Sequence, residues 1–97
     1  MYIAVRRYKI KPGSIDEIVR NVSEGFVPLI SQTSGFIAYY VADAGNDLAF
    51  SVSIFQDQAG ADESTGAAAD YVKQNLAALF QGPPEITAGE VKTYKAK

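Results

Sequence analysis

Two apolar runs separated by turn-forming residues constrain the fold of this chain more than any other feature. The first run is Gly35–Val41 and the second is Leu48–Phe55. Both are rich in β-branched and aromatic residues, which favour strands. Residues 43–47 between them read Asp-Ala-Gly-Asn-Asp, a set of turn formers. The pattern predicts a β-hairpin that the rest of the chain packs against.

The residues before the hairpin predict a strand and a helix. Tyr2–Ile10 alternates in the manner of a strand. Residues 14–17, Ser-Ile-Asp-Glu, have the form of a capping box, so we expect a helix to begin there. Its apolar stripe continues to Ile30, and Pro28 predicts a kink near Gly25. The kink either bends the helix over a twisted sheet or opens a cavity beneath it.

The residues after the hairpin predict a second helix and a last strand. Two glycines within residues 59–66 predict a weak or broken helix there. A clear helical face follows from Ala68 to Phe80 and ends before a Gly-Pro-Pro sequence. Glu85–Lys95 then predicts an edge strand, with Gly89 as a bulge or a close packing point.

The resulting order, β-α-β-β-α-β, predicts a single domain over residues 1–97 with an α+β fold. Right-handed crossovers give a four-stranded antiparallel sheet in ferredoxin-like order, with two helices on one face. Both hairpin strands are apolar on both sides, so the second sheet face also needs a cover. We therefore predict a homodimer through the sheet face opposite the helices.

Composition excludes several classes of function. The chain has no Cys and no His, which removes disulfides, thiolate chemistry and the commonest general base and metal ligand. Its net charge of -2 gives no positive electrostatic potential that would attract nucleic acid. The hairpin also lacks the basic and aromatic pattern of an RNA-recognition domain. No apolar run is long enough to span a bilayer, and Met1 leads directly into a strand rather than a signal peptide. We expect a cytoplasmic protein with no nucleic-acid or membrane partner.

At this point the chain resembles the antibiotic biosynthesis monooxygenase-like families of the dimeric α/β-barrel superfamily, over essentially its whole length. It is most similar to a small bacterial subgroup of unknown activity. The resemblance implies that two sheets face each other across a dimer to form a barrel. The stretches that carry it are Tyr2–Tyr8, Ser34–Phe36, Ala38–Tyr40, Val72–Leu76 and Pro83–Val91.

The same resemblance limits the activity. Its haem-degrading members use a His ligand and an Asn-Trp pair, and this chain has neither His nor Trp. Its cofactor-free oxygenases bind a phenol, stabilise the phenolate and exclude water. We therefore expect a monooxygenase without a cofactor or metal that acts on a small aromatic or quinone-like molecule. The alternatives are a non-catalytic dimeric domain that binds a small molecule or a partner, and an amino-acid-binding regulatory domain.

No catalytic residue can be transferred by motif, so the candidates come from the residues themselves. Arg6 and Arg7 point to opposite sheet faces; one can pair with a carboxylate of the last strand, and the other can hold an anionic oxygen. Tyr71 and Asn75 lie at i and i+4 on the second helix, where a buried amide must find partners. The candidate catalytic residues are Arg6, Tyr39, Tyr71 and Asn75.

Four further residues are candidates for substrate binding. Tyr39 and Tyr40 point to opposite faces, so that one lines the helix-sheet core and the other the dimer face. Ser51 and Ser53 share a face, and their small side chains leave room for a pocket. Each candidate also has a structural alternative, as a core aromatic, a cap or a surface ion pair. The candidate substrate-binding residues are Phe26, Tyr40, Ser51 and Ser53.

Overall fold

The computed structural model describes residues 1–97 and has the predicted order of strands and helices. The strands are β1 (Tyr2–Lys9), β2 (Phe36–Gly45), β3 (Leu48–Phe55) and β4 (Glu85–Glu90). They form one antiparallel sheet in the order β2-β3-β1-β4, and both helical segments cover the same face. The protein therefore has the α+β ferredoxin-like fold.

The central hairpin turns through two residues with positive φ. Asn46 and Asp47 have φ angles of 54° and 58°, the conformation that a two-residue type I′ turn requires. The side chain of Asp43 accepts a hydrogen bond from the backbone N–H of Gly45 at 2.9 Å. β2 extends further than predicted, to Gly45, and carries register irregularities near both of its ends.

The first helical segment contains a π-helical turn at the predicted kink. It consists of α1 (Ile15–Asn21), a π-helical turn (Val22–Phe26) and α2 (Val27–Ile30). Pro28 has no N–H to donate to the carbonyl four residues earlier. A wider turn accommodates this missing bond, as π-bulges do within α-helices.

The predicted capping box at the start of α1 is wrong. Ser14 precedes the helix, but its side chain caps no helical N–H and its backbone is already in the helical region. Its hydroxyl instead donates to the carbonyl oxygen of Lys11 at 2.6 Å. The Ser14 hydroxyl therefore forms a hydrogen bond within the preceding turn and does not cap the helix.

The second helix, α3 (Gln58–Asn75), is continuous, so the predicted break over residues 59–66 is wrong. Asp57 caps it by accepting a hydrogen bond from the backbone N–H of Gly60 at 3.0 Å. A Cβ at Gly60 would lie 2.8 Å from the Phe55 ring and 2.9 Å from the Ser34 carbonyl oxygen. Glycine at this position therefore permits close packing of the helix on the sheet.

The C-terminal elements are shorter than the sequence predicts. α3 ends at Asn75 and is followed by a short 3₁₀ turn over Ala77–Leu79. β4 ends at Glu90, and Gly89 pairs in regular register with Ile3 rather than forming a bulge. None of the helices combines the length and the hydrophobicity needed to cross a bilayer.

Helices pack on one face of the sheet and leave the other face open. The inner face packs against the helices around a buried core that includes Ile18, Phe26, Ile30, Phe55 and Leu76. We call the opposite side the outer face, and no element of the chain covers it. Its apolar side chains remain half-buried or exposed, and they include Ile3, Val5, Ala38, Tyr40, Phe50, Val52 and Ile54.

Candidate functional site

An apolar cavity lies between the inner face of the sheet and the helices. Its volume is about 40 Å³, which is room for a few water molecules. It lies beneath the π-helical turn. Its lining comes from both layers and includes Tyr8, Tyr39, Val41, Ala49 and Ser51 of the sheet, and Ile18, Val22, Phe26, Tyr71, Val72 and Leu76 of the helical layer.

A buried guanidinium lies beside this cavity without a carboxylate partner. Arg6 is 1% exposed, and its Nε donates to Ser51 Oγ at 3.2 Å. Its Nη2 donates to Ser53 Oγ at 2.6 Å and its Nη1 to Thr65 Oγ1 at 3.2 Å. The chain's two ion pairs lie elsewhere, on exposed side chains. Because burial of an uncompensated charge is costly, Arg6 is the strongest electrostatic feature of this site.

Two phenols accompany Arg6 on the inner face. Burial raises the pKa of Tyr8 and of Tyr39 above the ordinary value of 10.0, although the nearby positive charge of Arg6 opposes the shift. Both phenols are therefore neutral near pH 7 and can donate hydrogen bonds. The Tyr39 ring packs edge-to-face against Phe26 with ring centroids 5.5 Å apart.

Tyr71 lines the cavity with its ring but uses its hydroxyl for structure. The hydroxyl lies 2.5 Å from Asn21 Oδ1 and 3.1 Å from the Asn21 carbonyl oxygen, and it can donate to one of them at a time. Asn75 lies outside the cavity. It is exposed, and its Nδ2 donates to the Tyr71 carbonyl oxygen at 3.1 Å. The sequence predicts a buried Asn75 amide on the apolar stripe of the helix. The structure instead places this amide at the exposed end of α3.

The candidate residues on the strands separate between the two faces, as alternation predicts. Ser51 lines the cavity, whereas Ser53 is fully buried behind it against Arg6. Tyr40 is 60% exposed on the outer face, away from the cavity. Arg7 also lies on the outer face and pairs with Glu85 at 2.7 Å.

Two residues near Arg6, Tyr8 and Thr65, are not among the site residues predicted from the sequence. Tyr8 lies two residues after Arg6 on the same strand, so strand alternation places both on one face and was a usable signal. Thr65 carried no comparable signal, because it falls in the stretch that was predicted to be a broken helix.

A second, wider opening adjoins the cavity between α3 and β4, and we call it the α3–β4 groove. Its volume is about 190 Å³. Tyr8 and Val72 line both the groove and the cavity and so lie between them. The remaining lining residues of the groove are Arg6, Thr65, Ala69, Lys73, Gly82, Pro83, Pro84 and Ile86.

Comparison with solved structures shows the same fold along the whole chain. A protein of unknown function from Nitrosomonas europaea shares 25% identity, with a TM-score of 0.80 over 99% of this chain and 93% of that chain. A variant of MhuD, solved with two manganese protoporphyrin IX molecules bound per active site, shares 12% identity, with a TM-score of 0.78 over 100% of both chains. The ActVA-Orf6 monooxygenase of Streptomyces coelicolor, solved with nanaomycin D, shares 16% identity, with a TM-score of 0.72 over 99% of this chain and 91% of that chain.

Sequence comparison assigns the family. No curated protein matches this chain. Residues 1–73 match the sequence profile of the antibiotic biosynthesis monooxygenase family. Because that profile covers most of the chain, this protein belongs to the antibiotic biosynthesis monooxygenase family.

Proposed function

We propose that this protein is a cofactor-free monooxygenase that acts on a small phenolic or quinone-like aromatic molecule. The observation that carries the proposal is the buried Arg6 guanidinium, which has three hydroxyl partners and no carboxylate partner beside the cavity. Family membership supports it, as does the fold shared with the Streptomyces coelicolor monooxygenase.

The proposed role of Arg6 is to stabilise a substrate phenolate. An arginine stays protonated at all working pH values, and its charge acts strongly where water is excluded. Tyr8 and Tyr39 are neutral and can donate hydrogen bonds to the same oxygen. Together the three groups favour the anionic form of the substrate, which is the form that reacts with dioxygen.

The proposed reaction balances without an added reductant. The ring carbon opposite the phenolate oxygen bonds to dioxygen and forms a peroxide. The O–O bond then breaks, so that one oxygen atom stays on the ring as a quinone oxygen and the other leaves as water. The substrate loses two hydrogens and gains one oxygen, and it supplies all four electrons that dioxygen accepts. The apolar lining protects the intermediates from solvent.

Substrate binding must enlarge the cavity. Its volume of about 40 Å³ is below the roughly 150 Å³ of an engineered cavity that accepts benzene. Displacement of Tyr8 and Val72 would join the cavity to the α3–β4 groove, because both side chains line the two spaces. We propose this opening as the route by which an aromatic ring passes from the groove, which Arg6 lines, into the cavity.

The test is oxygen uptake by the purified protein with phenols whose opposite ring carbon carries hydrogen, such as 1-naphthol, without added flavin or metal. We expect one dioxygen consumed per substrate and one labelled atom in the product from ¹⁸O₂. Arg6→Gln removes the charge and should lower kcat about 100-fold or more. Arg20→Gln, an exposed arginine of α1, is the matched control.

Two outcomes would contradict this assignment. The first is that no phenol is consumed by the wild-type protein. The second is that folded Arg6→Gln, verified by circular dichroism, turns over at the wild-type rate. Arg6→Lys keeps the charge but loses the planar donor set, so an intermediate rate is expected for it.

A second candidate function is non-catalytic binding of a small molecule by the same cavity. It is favoured by the structural use of the Tyr71 hydroxyl and the Asn75 amide, which leaves fewer groups for chemistry. The same oxygen-uptake experiment separates the two candidates. Saturable binding of a phenol without oxygen consumption would support the binding function.

We also propose that two copies of this chain pair through their outer faces and form a barrel. The outer face carries apolar side chains from β1, β2 and β3, and Tyr40 and Leu48 are 60% and 39% exposed. Contiguous exposed apolar surface on this scale marks an interface rather than a solvated face. Pairing would leave the inner cavities of both copies on the far sides of their sheets.

A further inference from the structure

We infer that the α3–β4 groove binds a carboxylate on the substrate, so that the substrates are aromatic acids that carry a phenol. The inference rests on the proposed function, since it assigns one end of the same molecule. The phenol oxygen would lie at Arg6, and the carboxylate would lie in the groove beside Lys73.

The charge of the groove supports an anionic occupant. Arg6 and Lys73 line it, and no acidic residue does. Glu85 is adjacent in sequence to this lining, but its carboxylate pairs with Arg7 on the outer face at 2.7 Å. This locally positive site lies in a chain whose net charge is -2. Such a site attracts a small anion into a groove that the overall charge of the protein would not favour.

The acidic residues of α3 do not cancel this charge at the groove. Asp62, Glu63 and Asp70 are exposed and do not line it. Thr65 does line it, and its hydroxyl accepts a hydrogen bond from Arg6 Nη1 at 3.2 Å. The inner end of the groove is therefore polar and positive.

The opposite wall is apolar and suits an aromatic ring. Pro83 and Pro84 have no N–H to donate, and Ile86 is 50% exposed towards this side. A ring packed on this wall can direct one substituent towards Arg6 and another towards Lys73. The groove, at about 190 Å³, also has more room than the inner cavity, at about 40 Å³.

The test compares two probes of nearly the same shape, one anionic and one neutral. The probes are 6-hydroxy-2-naphthoate and its uncharged carboxamide, and binding is measured by titration calorimetry at low and high salt. The proteins are the wild type, Lys73→Gln and the control Lys95→Gln, which removes an equal charge from the tail beyond β4. A partly exposed charge pair is worth up to about 1 kcal/mol, or roughly fivefold in affinity.

We expect the wild type to bind the acid up to about fivefold more tightly than the amide. Lys73→Gln should bring the two probes close to equal affinity without weakening the amide, whereas Lys95→Gln should behave as the wild type. High salt should reduce the preference for the acid.

Equal affinity of the wild type for acid and amide would overturn the inference and leave the proposed function intact. Binding of neither probe would also overturn it, and oxygen uptake with other phenols would then decide the proposed function separately. Inorganic phosphate is the third ligand. If it displaces the acid at equal concentration, the groove takes a free anion, and the assignment to an aromatic acid is wrong.

Discussion

The phenol of Tyr71 lies directly over the backbone of Gly25, so that a Cβ at position 25 would collide with the Tyr71 hydroxyl oxygen. The same hydroxyl is held at Asn21, one turn earlier in the first helical segment. α3 therefore contacts the π-helical turn through one side chain, and that contact forms one wall of the cavity.

Gly25→Ala should lower the free energy of unfolding by about 1–3 kcal/mol, because overpacking outweighs the helix propensity of alanine. Urea denaturation measures this change. Adding Tyr71→Phe should recover part of the loss, because it removes the colliding oxygen, although the ring carbons stay close. Gly66→Ala is the control, since a Cβ there meets open space, and it should be neutral or stabilising. Additive effects at positions 25 and 71 would contradict the contact.

Gly60→Ala should also destabilise the protein, by about 1–3 kcal/mol. Its Cβ would meet the Ser34 carbonyl oxygen at 2.9 Å and the Phe55 ring at 2.8 Å. A backbone atom cannot move aside as a flexible side chain can, so α3 must shift away from the sheet. The measurement is again urea denaturation with Gly66→Ala beside it. Equal stability of both variants would mean that the helix packs less closely than described.

Stability should fall as the pH rises above about 10, the ordinary pKa of tyrosine. The folded state raises the pKa of Tyr8 and Tyr39, so it favours their neutral forms. That contribution is fully present below the unfolded pKa and is lost as the pH rises through the folded pKa. The urea midpoint should therefore drop less between pH 8 and pH 10.5 in a Tyr8→Phe, Tyr39→Phe variant. Tyr94→Phe, at a site 69% exposed, should drop as the wild type does.

Ile54→Arg should convert the proposed dimer to a monomer. Ile54 lies on the outer face between Ile3 of β1 and Ala38 of β2, where a charge would be buried at the interface. Light scattering coupled to size exclusion gives the mass. Val19→Arg, on an exposed position of α1, should remain dimeric.

Insolubility of Ile54→Arg would not hide the answer, because Tyr40→Arg provides a second test. Tyr40 is 60% exposed in the single chain, so an arginine there should leave the fold of the monomer intact. A wild-type monomer, or an unaltered dimer of Tyr40→Arg and Ile54→Arg, would contradict pairing through the outer face.

The sequence by itself determined the number and order of the strands and the separation of neighbouring strand residues to opposite faces. Arg6 and Arg7 separate to opposite faces, as do Tyr39 and Tyr40, because the two-residue period of a strand is a local property. The hairpin follows from equally local turn chemistry at Asn46 and Asp47. These features were predictable without knowledge of what the strands pack against.

Only the tertiary structure decided the helix details and the membership of the site. A glycine inside a helix lowers the stability of that helix by about 1 kcal/mol relative to alanine. The close packing of Gly60 against Phe55 and Ser34 outweighs this loss, so α3 runs without a break. Thr65 reaches Arg6 only because this continuous helix carries it there. Asn75 lies outside the site, because at the exposed end of α3 its amide donates to the Tyr71 carbonyl oxygen. Such outcomes depend on contacts between distant segments, and these contacts compete with local propensities at comparable energies.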